Sequence, residues 1–80
     1  MGRESKMPTI ELKSDITGTV WKVLKKAGEP VAEDEPIVIL ESMKMEIPLL
    51  APRDGLVKEV RVQPGSPVRA GQCVVVLEEA

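Results

Sequence analysis

One lysine of this sequence lies in surroundings that could support chemistry. Lys44 stands between Met43 and Met45, and the polar residues next to this triplet are Glu41, Ser42 and Glu46. A lysine amine is a nucleophile once it loses its proton, and methionine is a flexible, polarisable side chain that adapts to different protein surfaces. The same residues also fit a plainer interpretation: a solvated lysine in a turn, methionines that plug the end of a core, and solubilising glutamates.

The rest of the composition contains few catalytic groups. The 80 residues include no histidine and one cysteine, Cys73. Without histidine there is no imidazole base, no Ser/His/Asp or Cys/His nucleophile pair and no histidine metal ligand. A single cysteine excludes a disulfide framework and a four-cysteine zinc site, which favours a reducing compartment. We therefore expect no catalytic residues and no metal, and a chain that is not an enzyme by itself.

Charge and hydropathy exclude two classes of partner. The net charge is −2, and the only aromatic residue is Trp21, so a nucleic-acid-binding surface is not expected. The longest apolar runs, 37–40 and 73–77, are far shorter than the ~20 residues of a membrane helix. Residues 1–7 form a polar stretch that lacks the apolar segment of a signal peptide, so we expect a short tail and a cytoplasmic protein.

The elements that must position Lys44 are short strands. Seven prolines and six glycines divide the chain into segments rich in Val, Ile and Leu, a pattern typical of an all-β fold. Turns are expected at 26–30 and 63–67, where glycine supplies a positive φ. The predicted strands are Thr9–Lys13, Thr17–Lys25, Pro36–Glu41, Met45–Leu50, Gly55–Val62 and Cys73–Glu78.

An internal repeat organises these strands. Residues 8–41 align without a gap with residues 45–78, an offset of 37, and 11 of the 34 aligned positions are identical. The identities include the pairs Gly28/Gly65 and Pro30/Pro67, which composition alone would not keep in register. Neither copy can bury its apolar face alone, so we expect the two to pack face to face. The predicted fold is a flattened barrel or sandwich of two four-stranded sheets with a pseudo-two-fold axis.

Residues 42–44 are the whole predicted connection between the copies, which indicates a tight hairpin with Lys44 at an exposed tip. Such turns normally carry Gly, Asn or Asp because they need positive φ. Here the tip carries Met and Lys, and departures from local rules are concentrated at functional sites.

The segment Glu41–Ile47 resembles the attachment motif of biotinyl domains, the biotin carboxyl carrier proteins, whose core is Ala or Ser followed by Met, Lys and Met. The resemblance extends over Thr9–Glu78, including Gly18, Gly55 and the turn glycines. It implies a barrel-sandwich hybrid fold, with a biotinyl domain at 8–80 after the tail at 1–7. In the family's pattern position 34 is usually glycine. Here it is Asp34, so we expect a slightly strained turn.

The resemblance also implies a function. Lys44 would carry biotin through an amide formed by a biotin protein ligase. The carrier would then move a carboxyl group from a biotin carboxylase to a carboxyltransferase, with an acyl-CoA as the expected acceptor. The implied recognition residues are Met43, Met45, Glu41, Ser42 and Glu46.

Three alternatives remain open at this stage. A lipoyl carrier shares the fold and the hairpin lysine but has Asp, Lys, Ala at the tip, and a dual biotin and lipoate acceptor is also compatible with the pattern. A third alternative is an unmodified β interaction module, which leaves the Met-Lys-Met triplet without a role. Trp21 is interpreted as a partly buried strand residue or a docking residue, and Cys73 as a core-facing or inert thiol.

Overall fold

The computed structural model describes residues 8–79. Within this range the chain forms eight strands and no helix. The strands are β1 (Thr9–Lys13), β2 (Gly18–Val23), β3 (Pro30–Val31), β4 (Pro36–Ser42), β5 (Met45–Leu50), β6 (Gly55–Val60), β7 (Pro67–Val68) and β8 (Cys73–Glu79). They build two antiparallel four-stranded sheets. Sheet A has the order β1-β8-β6-β3 and sheet B the order β5-β4-β2-β7.

The predicted all-β fold and its two four-stranded sheets are confirmed. All six predicted strands exist, although β2 and β6 end before the predicted limits of Lys25 and Val62. The sequence pattern missed β3 and β7, which have two residues each and lie where turns end. A two-residue strand has no periodicity to detect. Each is defined only by its partner in the other copy, as Val31 pairs with Gly55 and Gly18 with Val68.

The two copies are interlocked by matching hydrogen bonds. The Gly28 amide donates to the Val57 carbonyl over 2.7 Å, and at the related positions the Gly65 amide donates to the Val20 carbonyl over 2.8 Å. Each turn is thus held by a strand of the other copy. The pseudo-two-fold arrangement predicted from the repeat is therefore present in the hydrogen bonding, and the two copies form one folding unit.

The core lies between the inner faces of the two sheets and is almost entirely aliphatic. Its fully buried side chains come from both copies and include Val20, Ile37, Val38, Leu40, Val57, Val68, Val74, Val75 and Leu77. Ser14 is the buried polar residue of the described chain, and its hydroxyl donates to the Ile16 carbonyl over 2.6 Å. Within residues 8–79 no helix is long and apolar enough to cross a membrane.

Two glycines permit the closest approach between strands. Gly18 and Gly55 begin β2 and β6, and a Cβ atom at either position would overlap a carbonyl oxygen, that of Glu41 or that of Glu78. Because the obstacle is backbone, no side-chain rotation could relieve it. Gly18 therefore lets β2 lie against the end of β4, directly before the hairpin that carries Lys44.

Candidate functional site

The hairpin between β4 and β5 has a tip of two residues. Ser42 pairs with Met45, so the expected connection of 42–44 is one residue too long and only Met43 and Lys44 are left unpaired. Their φ angles are 53° and 65°. Two successive residues with positive φ are the pattern of a type I′ turn, whose twist matches that of the flanking strands. The expected primed turn is therefore present, with no Gly, Asn or Asp in it.

This turn is strained, and its surroundings hold it. A residue with a Cβ atom pays about 1 kcal/mol or more in the left-handed region, and here two such residues are adjacent. Below the tip, β4 pairs with β5 on one side and with β2 on the other. The Ser42 hydroxyl also donates to the Thr17 carbonyl over 3.2 Å, which ties the base of the hairpin to the segment before β2. Lys44 consequently projects from a fixed base.

The two methionines are exposed. Met43 is 91% accessible to solvent and Met45 is 63% accessible. The interpretation that they plug the end of the core is therefore wrong. Farther along β5, Ile47 and Leu49 are partly buried, so exposure increases as the strand leaves the core toward the tip. The methionines are free to contact another protein.

The polar residues of the segment differ in their surroundings. Glu41 and Glu46 are both exposed and face each other across β4 and β5. Ser42 is partly buried and is engaged with Thr17. The ion pairs formed within residues 8–79 do not include Lys44, which is exposed. All six residues predicted for the site thus lie together at one end of sheet B, with a free amine between two exposed thioethers.

Three other residues noted in the sequence have clear positions. Asp34 has a φ of 69°, and the related Gly71 has a φ of 90°, so the expected strained turn is confirmed. Trp21 is the extra residue of a β-bulge in β2 and is 41% exposed. Cys73 is partly buried, and its Sγ lies 3.7 Å from the Val75 carbonyl oxygen, a weak hydrogen bond.

The arrangement leaves the amine of Lys44 exposed at the end of sheet B. The tip itself holds only Met43 and Lys44, and the carboxylates of Glu41 and Glu46 lie in the strands on either side of it. Within residues 8–79 no group of three or more Cys, Asp or Glu residues is arranged to hold a metal ion. The hairpin therefore presents an exposed amine on a fixed base.

The family model described as "Biotin-requiring enzyme", of the biotin/lipoyl type, matches residues 5–77. The chain belongs to the biotin/lipoyl attachment family. The matched segment takes in both copies of the repeat and the hairpin with Lys44.

Curated relatives of this family domain occur at two very different lengths. The chain is 43% identical over 65 residues to a biotin/lipoyl attachment protein of Bacillus subtilis and covers 89% of that protein. It is 39% identical over 67 residues to pyruvate carboxylase of the same organism but covers only 6% of it. The same unit therefore occurs as a small protein and within a large carboxylase.

Solved structures of a carboxylase and of a lipoyl domain resemble this chain. A single-chain, multi-domain long-chain acyl-CoA carboxylase contains a segment that matches with a TM-score of 0.86 at 29% identity, covering 99% of this chain and 8% of that one. The lipoyl domain of the 2-oxoglutarate dehydrogenase complex from Azotobacter vinelandii matches with a TM-score of 0.71 at 38% identity, covering 80% of this chain and 81% of that one. The barrel-sandwich fold is thus confirmed, and the fold is common to biotin and lipoyl carriers.

Proposed function

We propose that this protein is a biotin carboxyl carrier and that biotin is attached to the Nζ atom of Lys44. The observation that carries the proposal is the tip itself: in a chain of this family, a lysine with positive φ projects from a two-residue turn between two exposed methionines. In a protein with no attached group, this strained and exposed Met-Lys-Met tip would have no function to offset its energetic cost.

In this chemistry the chain itself holds Lys44 in place and presents its Nζ atom to the partner enzymes. Lysine amines are protonated at neutral pH, so the ligase must remove a proton from Nζ before that nitrogen attacks the activated biotinyl carbonyl and expels the activating group. The tip supplies no base, and its exposure lets Nζ enter another protein's cleft. Once attached, biotin supplies a ring nitrogen that accepts and releases a carboxyl group. The β scaffold fixes the root of the arm, and the catalytic groups belong to the partners.

The proposed partners are a biotin protein ligase, a biotin carboxylase and a carboxyltransferase of an acyl-CoA carboxylase. Similarity to a segment of an acyl-CoA carboxylase supports the last of these. We also propose that the carrier is non-catalytic and cytoplasmic, and that its domain comprises residues 8–80. The predicted tail at 1–7 lies outside the described residues.

A lipoyl carrier is the second candidate, favoured by the 38% identity to a lipoyl domain. Against it stand the methionines, because the lipoyl pattern at the tip is Asp, Lys, Ala, whereas Lys44 has methionine on both sides. The two candidates use the same lysine, so only the group transferred distinguishes them.

The test offers the purified chain to a biotin ligase and a lipoate ligase in parallel, followed by intact-mass measurement and peptide mapping. We expect a single biotinyl addition, mapped to Lys44 and abolished by Lys44→Arg. The matched control is Lys58→Arg, since Lys58 is an exposed lysine of sheet A and should leave modification unchanged. Lipoylation alone, or biotin on another lysine, would overturn the proposal.

A further inference from the structure

The outer faces of the two sheets differ at positions that the repeat makes equivalent. On sheet B and at its edge a set of apolar side chains, here called the outer patch, consists of Trp21, Leu24, Ile39, Pro48 and Leu50, with the ammonium of Lys22 over the Trp21 ring. The residues related to them on sheet A by the offset of 37 are, in the same order, Lys58, Arg61, Val76, Glu11 and Lys13. Four apolar residues of sheet B thus correspond to four charged residues of sheet A.

Strand pairing places the outer patch on one face. Lys22 pairs with Ile39, which pairs with Pro48, and directly paired residues share a face. Ile39 lies between the buried residues Val38 and Leu40 of β4, so its side chain points away from the core. The Lys22 ammonium lies 4.8 Å from the centre of the Trp21 ring, so the bulged Trp21 also lies on this outer face.

The two remaining members complete the same face. Leu49 packs against the core, so Leu50, which follows it in β5, points outward by the alternation of a strand. Leu24 directly follows β2, and its amide donates to the Ile37 carbonyl at the edge of this face. Each is 43% exposed, close to the 41% of Trp21. Three of the five patch residues, Trp21 among them, are therefore large apolar side chains left in water.

On sheet A the residue equivalent to Ile39 is Val76, and charged side chains lie around it. Val76 pairs with Glu11 and Glu59 and is only 7% exposed, whereas the related Ile39 is partly open. The Arg61 guanidinium lies 3.3 Å from the Glu59 carboxylate, and its pKa is raised by this hydrogen bond and more weakly by Glu11. Charged side chains thus surround Val76 on this face. Leu56 is the exposed large apolar residue of sheet A in the described range.

The outer patch is continuous with the attachment hairpin. Ile39 and Pro48 form the third residue pair below the closing pair Ser42 and Met45, a distance of about 10 Å along the strands. An ordinary protein interface of about 800 Å² per partner is roughly 30 Å across. An interface of this size that begins at the tip and extends along sheet B would therefore cover the patch.

We propose that the outer patch is the docking surface for the ligase that acylates Lys44, an inference that rests on the proposed function. Before modification Nζ extends only four carbons from the backbone, so the ligase must close around the tip. After modification the biotin arm lengthens that reach, and later enzymes can act with the domain farther away. Glu41 and Glu46 lie between the patch and the tip on the same sheet. Their negative charge would be complemented by cationic side chains on the ligase. These would lie beside an apolar ligase surface that contacts Trp21.

The size of the outer patch argues against a second copy of this chain as the occupant. A stable interface uses about 20–30 residues on each side, and the patch has five. Two copies meeting face to face would also bring their Glu41–Glu46 pairs onto one small interface without adding apolar area. The patch fits a brief encounter in which one aromatic residue contributes most of the binding energy.

The repeat itself supplies the variants for the test. The triple variant Trp21→Lys, Leu24→Arg, Leu50→Lys gives sheet B the residues that sheet A already carries at the same backbone positions. The matched control, Lys58→Gln with Arg61→Gln, changes the outer face of sheet A. If the triple variant does not fold, the single variant Trp21→Lys replaces it in the assay. Each is assayed for initial rates of biotin transfer over a range of carrier concentrations, and folding is checked by circular dichroism.

We expect the KM for the carrier to rise at least about tenfold in the triple variant with kcat unchanged, because the patch does not touch the reacting amine. The control variant keeps the KM of the unsubstituted chain. Equal kinetics for triple variant and unsubstituted chain would overturn the proposal. So would normal ligase kinetics combined with impaired carboxylation of the attached biotin, or a dimer in sedimentation that the triple variant dissociates. No biotinylation of the unsubstituted chain would instead refute the proposed function.

Discussion

The two copies of the repeat, 8–41 and 45–78, share a backbone to the level of single hydrogen bonds and differ in what their exposed residues do. In the first copy the Ala32 amide donates to the Glu35 carboxylate over 2.9 Å, and in the second the Arg69 amide donates to the Gln72 side chain over 2.9 Å. Yet Trp21 corresponds to Lys58, and four apolar residues of the outer patch correspond to charged residues at the equivalent positions of the other copy. Backbone geometry is therefore constrained equally in both copies, while exposed side chains are free to specialise.

The largest effect that can test this comparison concerns the equivalent glycines. Gly18→Ala and Gly55→Ala should each lower the free energy of unfolding by about 3 kcal/mol, because the added Cβ overlaps a backbone carbonyl in both copies. Urea unfolding followed by circular dichroism measures the change.

The control for these two variants is Gly65→Ala. Its Cβ would meet open space at a φ of 89°, so it should lose only about 1 kcal/mol. If one of Gly18→Ala and Gly55→Ala were no worse than this control, the structural equivalence of the two copies would not hold.

A smaller effect distinguishes the backbone strain at Asp34, far from the hairpin tip, from the strain at Met43 in the tip itself. Asp34→Gly and Met43→Gly each relieve a positive φ, of 69° and 53°, and should each raise the free energy of unfolding by about 0.5 kcal/mol after the entropic cost of glycine. Biotin transfer should be unchanged in Asp34→Gly and slower in Met43→Gly, which loses an exposed thioether and gains a flexible tip. Equal transfer rates would show that Met43 is not recognised.

The smallest effect is a difference in acid sensitivity between equivalent turns. The Ala32 amide and the Lys25 ammonium, 2.9 Å away, hold the pKa of Glu35 below its usual 4.5. A lowered carboxylate pKa contributes stability above that usual value, and the contribution is lost as the pH falls through the pKa of the folded protein. Gln72 makes the equivalent bond without titrating.

Glu35→Gln should therefore keep the turn and flatten the decrease in stability below pH 4.5. Thermal unfolding measured between neutral and acid pH tests this. If stability decreased as steeply at acid pH in this variant as in the unsubstituted chain, other carboxylates would account for the decrease.

Much of the fold follows from local pattern and from the repeat. Alternation predicted the six longer strands, and the offset of 37 predicted two similar sheets around one core. The Met-Lys-Met triplet distinguishes Lys44 from the other lysines by sequence alone. The strands β3 and β7 were missed because they are held only by Gly55 and Gly18 of the other copy, contacts that are remote in sequence.

The sequence alone determined the all-β class and the two-copy architecture, and it pointed to Lys44 as the residue for which we propose attachment, because these depend on residue types and spacings along the chain. Only the tertiary structure decided that the tip has two residues, that Met43 and Met45 point into water, and that Trp21 joins Ile39 and Pro48 on one outer face. Exposure and shared faces depend on which strands pair and in which register. That register is set where the two copies meet, between residues far apart in the chain.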